Sequence, residues 1–306
     1  MKAVFCTRYG PPEVLQLKEI ERPIPKKNEL LIKIFATTVT ASDCIIRGFN
    51  VPFGLRLPMA IAIGFTKPRR PILGMVMAGE VESVGKDVKL FKKDDRVFGC
   101  DFNRLVFGMY AEYVCFPEEG MLTNKPTNIS YEEAVTIPYG GLLALHFLRK
   151  GNIHSGQKVL IYGASGTIGT SAVQIAKHFG AKITGVCSTT NLELVKSLGA
   201  DSVIDYTKED FTNKEEHYDF ILNAVGKRKA KLGCKKVLAP KGKHITVDDE
   251  SPKLNNEDLI FLKELAETGQ LKAVIDRRYS LDQIVEAHRY VDQGHKKGNV
   301  IITVHD

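Results

Sequence analysis

The residues best suited to chemistry form a glycine-rich turn at residues 163–169, Gly-Ala-Ser-Gly-Thr-Ile-Gly. Such a turn lets backbone amides approach a pyrophosphate, and a helix that starts here adds unpaired amides and a positive dipole end. A glycine cluster can also serve only the close packing of a strand on a helix. Because this turn lies between a strand pattern and a helix pattern, we predict a dinucleotide site formed by Ala164, Ser165, Gly166, Thr167, Ile168 and Gly169.

The stretch after the next apolar run decides which dinucleotide fits. An acidic residue there would bind the adenosine ribose and repel a 2′-phosphate. This sequence has Ser188, Thr189, Thr190 and Asn191 instead. Hydroxyl and amide groups can donate to phosphate oxygens without charge repulsion, so we predict NADPH as the cofactor and keep NADH as the alternative. The same residues could be N-caps of the following helix, and both interpretations can hold together.

The turn belongs to an alternation of strands and helices that spans residues 157–250. Apolar strands separated by helices of this length indicate a parallel sheet covered on both faces, because parallel strands need crossover connections. The middle of the chain is therefore predicted to be a doubly wound α/β domain. Its strands are expected at 158–162, 182–187, 202–205, 218–223 and 244–247, with helices at 167–178 and 191–198.

The first 125 or so residues are predicted to form mostly short strands and turns, as in the β-rich run Leu30–Phe35. Two predicted helices, near 258–268 and 281–293, precede a last strand at 299–304. This strand resembles those of the first region, so we expect the C-terminal segment to complete the first domain. The predicted domains are residues 1–125 with 270–306, and residues 126–269.

Composition describes an ordinary globular protein with 43 basic and 36 acidic residues among 306. A basic run at 227–243 contains no acid, but no aromatic residue is interleaved for base stacking, so we do not expect nucleic acid as a partner. The six cysteines lie far apart without a Cys-x-x-Cys pair, and we expect reduced thiols. Without a signal-peptide core or an apolar run able to cross a bilayer, we predict a cytoplasmic protein with no membrane partner.

Several motifs together resemble one family. They are Arg-Pro-Ile-Leu-Gly at 70–74, Ala-Gly-Glu-Val at 78–81, Asp-Arg-Val-Phe-Gly at 95–99 and Gly-Met-Tyr-Ala-Glu-Tyr at 108–113. Over nearly the whole chain the sequence is similar to the medium-chain dehydrogenase/reductase superfamily, in its zinc-independent quinone oxidoreductase branch. The resemblance implies a GroES-like β-barrel domain joined to a Rossmann domain with a parallel sheet, with the substrate in the cleft between them.

The resemblance also bears on metal binding. Metal-dependent members bind a catalytic zinc through a cysteine, a His-Glu pair and a later cysteine or histidine. The corresponding positions here are Thr40, Met75-Val76 and residues 138–141, Pro-Tyr-Gly-Gly. We therefore predict no zinc and no other metal. Without a Lewis acid a simple alcohol has nothing to polarise its oxygen, whereas a quinone or an enone already has a conjugated electron sink.

By resemblance, Thr40 and Arg47 are the hydrogen-bond donors nearest the expected substrate, and Tyr139 lies on its Rossmann side. Thr40 could equally cap local backbone, and Arg47 could be a solvent-facing charge, so neither is assigned as the general acid. The resemblance adds four residues to the cofactor site: Tyr206, Val225, Val247 and Asn299.

We therefore predict an NADPH-dependent, zinc-free oxidoreductase that transfers hydride to a small electrophilic quinone or α,β-unsaturated carbonyl. The alternatives are an NAD(P)-dependent alcohol or aldehyde dehydrogenase, and a dinucleotide-binding redox sensor or nucleic-acid binder without turnover. Many relatives carry about twenty more residues between Val247 and Asn256, which close the pocket and form a dimerisation edge. Because this chain lacks those residues, its pocket shape and oligomeric state stay open, with a homodimer as one option. The sequence does not name the physiological acceptor.

Overall fold

The computed structural model describes residues 1–102, 107–213, 215–226 and 233–305. The chain divides into two compact units, Met1–Pro138 with Ile275–Asp306, and Tyr139–Val274. Residues 227–232 of the basic run lie outside the described residues. Within the described part of the chain, no helix has the length and apolar character that crossing a membrane requires.

The elements of both units are numbered along the chain. Among the described residues the strands are β1 (Lys2–Cys6), β2 (Leu15–Glu19), β3 (Glu29–Val39), β4 (Val76–Val84), β5 (Arg96–Cys100), β6 (Tyr113–Pro117), β7 (Met121–Asn124), β8 (Lys158–Tyr162), β9 (Lys182–Cys187), β10 (Ser202–Asp205), β11 (Tyr218–Asn223), β12 (Leu238–Thr246), β13 (Ile275–Ser280) and β14 (Asn299–Thr303). The α-helices are α1 (Ala41–Gly48), α2 (Arg56–Ile63), α3 (Tyr131–Ala134), α4 (Ile137–Gly151), α5 (Thr167–His178), α6 (Leu192–Ser197), α7 (Asn256–Glu267) and α8 (Ile284–Asp292).

The second unit contains a parallel sheet with the strand order β10-β9-β8-β11-β12. Val159, Leu160 and Ile161 of β8 are fully buried, as expected for a strand covered on both faces. The order reverses at β8, which pairs with β9 on one side and β11 on the other. Ligands of open α/β sheets bind beyond the carboxyl end of the strand at such a reversal. The predicted Rossmann-type domain is confirmed, with four predicted strands matching residue for residue.

The first unit is built on an antiparallel sheet in which β3 is the longest strand. The strand order is β13-β14-β3-β4-β5-β7, and β6 also pairs with β3. Its core packs alternate residues of β3, Leu30, Ile32 and Ile34, against residues such as Met77 and Val97. The last strand β14 pairs antiparallel with β3, so the C-terminal segment is part of this unit.

Two helices interrupt the region that the sequence predicted to be strands and turns. Helix α1 begins with a capping box in which Thr40 and Asp43 each bind the other's backbone amide. Its buried residues are Asp43, Cys44, Ile46 and Arg47, so burial in this helix is not confined to apolar side chains. Helix α2 follows nearby and buries Ala60 and Ile63. Sequence periodicity missed both helices because each spans only eight residues.

Candidate functional site

The glycine turn connects the central strand β8 to helix α5 in the second unit. Gly163 has a φ of +78°, which L side chains rarely adopt. A Cβ at Gly169 would clash with the carbonyl oxygen of Gly163 and the backbone of Ala164, so glycine is required for the helix to pack this closely. A Cβ at Gly166, in contrast, would meet nothing nearer than 3.6 Å. The turn is closed on its helix side and open at Gly166.

The N-terminus of α5 provides the donors that a pyrophosphate needs. Gly166 is the N-cap residue, and it has no side chain with which to cap the helix. The amides of Ile168 and Gly169 lie in the first turn, where backbone donors have no partner within the helix. These amides and the positive end of the helix dipole can bind an anion. The turn residues predicted for the dinucleotide therefore surround one open anion cradle.

Asn191 links this turn to the carboxyl end of β9. Its side-chain Nδ2 donates to Ser165 Oγ and to Ser188 Oγ, both at 3.1 Å, while Oδ1 is buried and accepts no hydrogen bond from the described residues. Neither Ser188 nor Asn191 caps a helix through its side chain, although both occupy N-cap positions. The capping alternative for these side chains is thus wrong. Their hydroxyl and amide groups instead form a polar cluster beside the glycine turn.

Thr189 and Tyr206 lie towards the neighbouring strand β10. The hydroxyl of Thr189 donates to the carboxylate of Asp205, the last residue of β10. Hydrogen bonds from Thr189 and Thr207 lower the pKa of this carboxyl, which keeps it ionised at neutral pH. Tyr206 follows directly and is half exposed. Thr189 therefore faces Asp205. Ser188 instead accepts a hydrogen bond from Asn191, next to the glycine turn.

The two predicted valines also lie at this end of the sheet. The backbone amide of Val225 donates to Asn223 Oδ1 at 3.1 Å, just beyond β11. The amide of Val247 donates to the carbonyl oxygen of Asn223, also at 3.1 Å, just beyond β12. The side chain of Val225 lies over Gly163, where it would meet any added Cβ. The structure thus brings both valines to the carboxyl edge that carries the glycine turn.

The other predicted residues are distributed between the two units. Tyr139 lies near the start of α4 and is buried, and it is the first residue of the second unit. Asn299 begins β14 in the first unit and is also buried. Their parts in substrate and cofactor binding stay predictions.

In the first unit, Thr40 is buried and its hydroxyl is engaged by the helix that follows. Thr40 Oγ1 donates to Asp43 Oδ2 at 2.6 Å and accepts the backbone N–H of Asp43 at 3.1 Å. The Thr40 amide donates to the same carboxylate oxygen at 2.8 Å. Burial raises the pKa of Asp43 to about 6. The geometry is that of the local capping that the sequence allowed for Thr40.

Arg47, in the same helix, is only 2% exposed and so is not a solvent-facing charge. Its Nη2 donates to Asp292 Oδ2 at 2.8 Å and its Nε to the carbonyl oxygen of Gly10 at 3.1 Å. Nη1 lies 3.2 Å from His288 Nδ1 and donates to it. The guanidinium therefore joins α1 to α8 within the first unit.

Comparison with known proteins accounts for both units. Residues 26–127 match the family described as alcohol dehydrogenase GroES-like domain, and residues 198–302 match the family described as zinc-binding dehydrogenase. The chain is 34% identical to the 2-methylene-furan-3-one reductase of Solanum lycopersicum over 99% of its length and 79% of the relative. It is 30% identical to an NADPH-dependent alkenal/one oxidoreductase of Arabidopsis thaliana over the same shares of the two chains.

The chain belongs to the medium-chain dehydrogenase/reductase superfamily, in its quinone oxidoreductase-like branch. The solved quinone oxidoreductase of Coxiella burnetii superposes on this oxidoreductase with a TM-score of 0.89. That structure is 28% identical and the alignment covers 100% of this chain and 99% of the other. The family that the sequence motifs indicated is confirmed.

The zinc that one family description names does not fit the residues of this oxidoreductase. Thr40 is engaged with Asp43, and Met75 and Val76 are buried apolar side chains that offer no oxygen, nitrogen or thiolate ligand. Across residues 1–102, 107–213, 215–226 and 233–305, no group of three or more His, Cys, Asp or Glu side chains is placed to hold a metal ion. We therefore derive no step through a metal.

The sequence interpretation missed three features of the dinucleotide end. The sequence placed Asn191 among the phosphate donors or helix caps, but did not indicate its long-range hydrogen bond to Ser165. Asn223 was not considered, yet its side chain and its carbonyl hold the backbone after two strands. Its signal was available, since an asparagine at the end of an apolar strand is a polar group in a buried position. A Cβ at Gly140 would clash with Thr167, so this glycine lets α4 approach α5.

Proposed function

We propose that this oxidoreductase is an NADPH-dependent, zinc-free reductase. It transfers hydride to a quinone or an α,β-unsaturated carbonyl that occupies the cleft between the two domains. The cofactor, when bound, supplies the hydride, which carries two electrons and one hydrogen. A proton then completes the reduced acceptor, giving a hydroquinone or a saturated carbonyl together with NADP⁺.

The observation that carries this proposal is the uncharged polar cluster at the end of β9. Ser188 Oγ lies beside Thr190 Oγ1 at 3.4 Å and accepts from Asn191, whose amide also reaches the glycine turn. These hydroxyls can donate to the 2′-phosphate of NADPH. The ionised Asp205 opposes an additional phosphate, but the Lys208 ammonium, 3.8 Å from Asp205 Oδ2, offsets part of its charge.

The acceptor class rests on the relatives and on the missing zinc ligands. Two of the relatives are named as reductases of a methylene-furanone and of alkenals or enones. Their named acceptors share a conjugated carbonyl that takes up electrons without a Lewis acid. Thr40, Met75 and Val76 offer no metal ligand, so an acceptor that needs no Lewis acid suits this chain.

The proton is best assigned to solvent water. The Thr40 hydroxyl donates to Asp43, and the Arg47 guanidinium donates to Asp292, His288 and Gly10. Releasing either donor towards a substrate would break a buried hydrogen bond, which costs about 1–3 kcal/mol. The work of the protein is then to orient the two reactants and to exclude water from their contact.

The test is NADPH consumption by metal-stripped protein with a simple quinone, an enone and an aliphatic aldehyde in parallel, each against a no-enzyme control. We expect turnover of the quinone or the enone but not of the aldehyde. NADPH carrying deuterium at its hydride position should deliver that deuterium to the β-carbon of the enone product, which mass spectrometry detects. Gly166→Asp, which places a carboxylate in the open cradle, is the variant expected to lose turnover.

Other outcomes would decide against the proposal. Aldehyde reduction that needs added zinc would identify an alcohol dehydrogenase instead. NADPH that binds without any turnover would identify a dinucleotide-binding protein that does not use these acceptors.

A further inference from the structure

A short segment of the first unit exposes an unusual number of large apolar side chains. In residues 52–70, five such side chains are more than half exposed: Phe53, Leu55, Leu57, Ile61 and Phe65. Scattered single exposures of this kind are normal, but a contiguous exposed apolar patch marks an interaction site. We call residues 52–70 the apolar segment.

The apolar segment has a defined conformation that exposes apolar side chains to solvent. Within α2, Ala60 and Ile63 are buried, whereas Leu57 and Ile61, one turn apart, are exposed on another face. The Tyr9 hydroxyl lies 3.3 Å and 2.9 Å from the carbonyl oxygens of Ile63 and Gly64 and fixes the end of the helix. Two of the exposed apolar side chains, Leu57 and Ile61, are thus presented by a helix anchored to the rest of the unit, and the other three flank it in the chain.

The apolar segment carries charges of one sign only. Between Asp43 and Glu80 the sequence has no acidic residue. The apolar segment itself carries four exposed basic side chains: Arg56, Lys67, Arg69 and Arg70. Arg47, the other basic residue between those acids, is buried against Asp292 and does not contribute to the surface. Apolar side chains bordered by basic ones match the boundary between the acyl chains and headgroups of an anionic bilayer.

We propose that the apolar segment docks this protein on the surface of an anionic phospholipid bilayer. Phe53, Leu57 and Ile61 enter the boundary between headgroups and acyl chains, and the basic side chains bind lipid phosphates. The sequence expectation of no membrane partner rested on the lack of a run long enough to span a bilayer. Surface docking requires no such length. The proposal goes beyond the reductase activity and does not depend on it.

Vesicle flotation with the full chain tests the proposal. Two vesicle types are used, one of pure phosphatidylcholine and one of equal parts phosphatidylcholine and phosphatidylglycerol. We expect flotation with the anionic vesicles only, and a weaker association at high salt. The double variant Phe53→Ser with Leu57→Ser should weaken binding by at least about tenfold. Serine buries less apolar area in the bilayer than the phenylalanine or leucine that it replaces. Arg69→Gln should weaken it about fivefold.

The matched control is Ile24→Ser, since Ile24 is 88% exposed, as is Phe53, but lies outside the apolar segment. It should float like the unmodified protein. Circular dichroism and the thermal midpoint of each variant show that its fold is retained.

Three results would overturn the proposal. One is the absence of flotation with anionic vesicles at any lipid concentration. Another is an equal loss of binding in the Ile24→Ser control. The third is concentration-dependent self-association, seen by light scattering and abolished by Phe53→Ser with Leu57→Ser, without vesicle binding, which would assign the segment to a second copy of the chain.

Discussion

Two clusters of buried polar groups in this protein differ in what they bind to. At the carboxyl edge of the parallel sheet, Asn191 holds two serine hydroxyls beside an open glycine turn and keeps a free acceptor. Between α1 and α8, the Arg47 guanidinium is closed off by Asp292, His288 and a backbone carbonyl. The first arrangement keeps one buried acceptor without a partner among the described residues, beside a glycine turn that is open at Gly166. The second joins two helices and borders no such turn, although His288 Nε2 there also has no partner among the described residues.

The hydrogen-bond partners of Arg47 change how this residue is interpreted. Arg47 was a candidate substrate donor because of its chemistry and its place in the family pattern. Its bonds instead tie the C-terminal helix to the first helix of the same unit, so we interpret it as structural. The difference between a ligand site and a structural cluster lies in the partners, which only the folded chain shows.

The strongest way to break this comparison is Arg47→Ala. Removing a buried partner leaves Asp292 without its cation, and we expect the free energy of unfolding to fall by about 3 kcal/mol. The figure is at the low end for a buried ion pair because the Asp292 side chain is 36% exposed. Urea unfolding measures it. NADPH affinity of the folded variant should be unchanged.

The matched control is Arg289→Ala, which removes exposed ion pairs to Glu13 and Glu286. It should cost less than about 1 kcal/mol. If Arg47→Ala instead kept full stability and lost only turnover, Arg47 would be a substrate ligand and the contrast between the clusters would fail.

The second test compares two glycines of the glycine turn that differ in the space available to an added Cβ. At Gly169 an added Cβ meets backbone, so Gly169→Ala should lower the free energy of unfolding by about 2 kcal/mol. At Gly166 the space is open, so Gly166→Ala should cost well under about 1 kcal/mol while weakening NADPH binding. Urea unfolding and fluorescence titration with NADPH separate the two effects. Equal stability losses would show that the turn is not open at Gly166.

How far the sequence predicts these regions follows from the range of their interactions. Four strands of the second unit were predicted because an apolar run is a local signal, and the glycine turn after β8 is another; the fifth, β12, begins at Leu238 rather than at the predicted residue 244. The hydrogen bonds that enclose the Arg47 guanidinium could not be predicted, because its partner Asp292 is 245 residues away in the chain. Asn191 is intermediate: its position next to a helix was visible, but its bond to Ser165 depends on two strands lying side by side. The helix cap at Thr40 is local, and it was among the interpretations the sequence allowed.

The closed cluster can also be tested by pH. Burial, with the nearby Arg47 charge, lowers the pKa of His288 to about 3, against an ordinary value of about 6.5. Below pH 6.5 the unfolded chain binds a proton that the folded chain does not, so this histidine lowers stability as the pH falls. Asp43 acts in the opposite direction, because its pKa is raised to about 6 and the folded chain takes up a proton first.

His288→Asn removes the histidine whose titration lowers stability at low pH. The side-chain oxygen of the introduced asparagine can still accept a hydrogen bond from Arg47. Between pH 7 and pH 5, the unfolding free energy of the variant should fall by about 2 kcal/mol less than that of the unmodified protein. Urea unfolding at the two pH values gives this difference, with the exposed His217→Gln as the control. Identical pH dependence in His288→Asn and the unmodified protein would mean that His288 is accessible to protons.

The smallest expected effect concerns Ser188, which lies beside the glycine turn and which we expect to decide between NADPH and NADH. Ser188→Asp places a carboxylate where a 2′-phosphate would lie, and a carboxylate there can accept from the two ribose hydroxyls of NADH. We expect the ratio of NADPH to NADH affinity to fall by about fivefold, enough to reverse a modest preference. Thr189→Asp is the matched control, because the Thr189 hydroxyl faces Asp205 rather than the turn. Isothermal titration with both dinucleotides measures the ratio, and an unchanged ratio in Ser188→Asp would place the phosphate elsewhere.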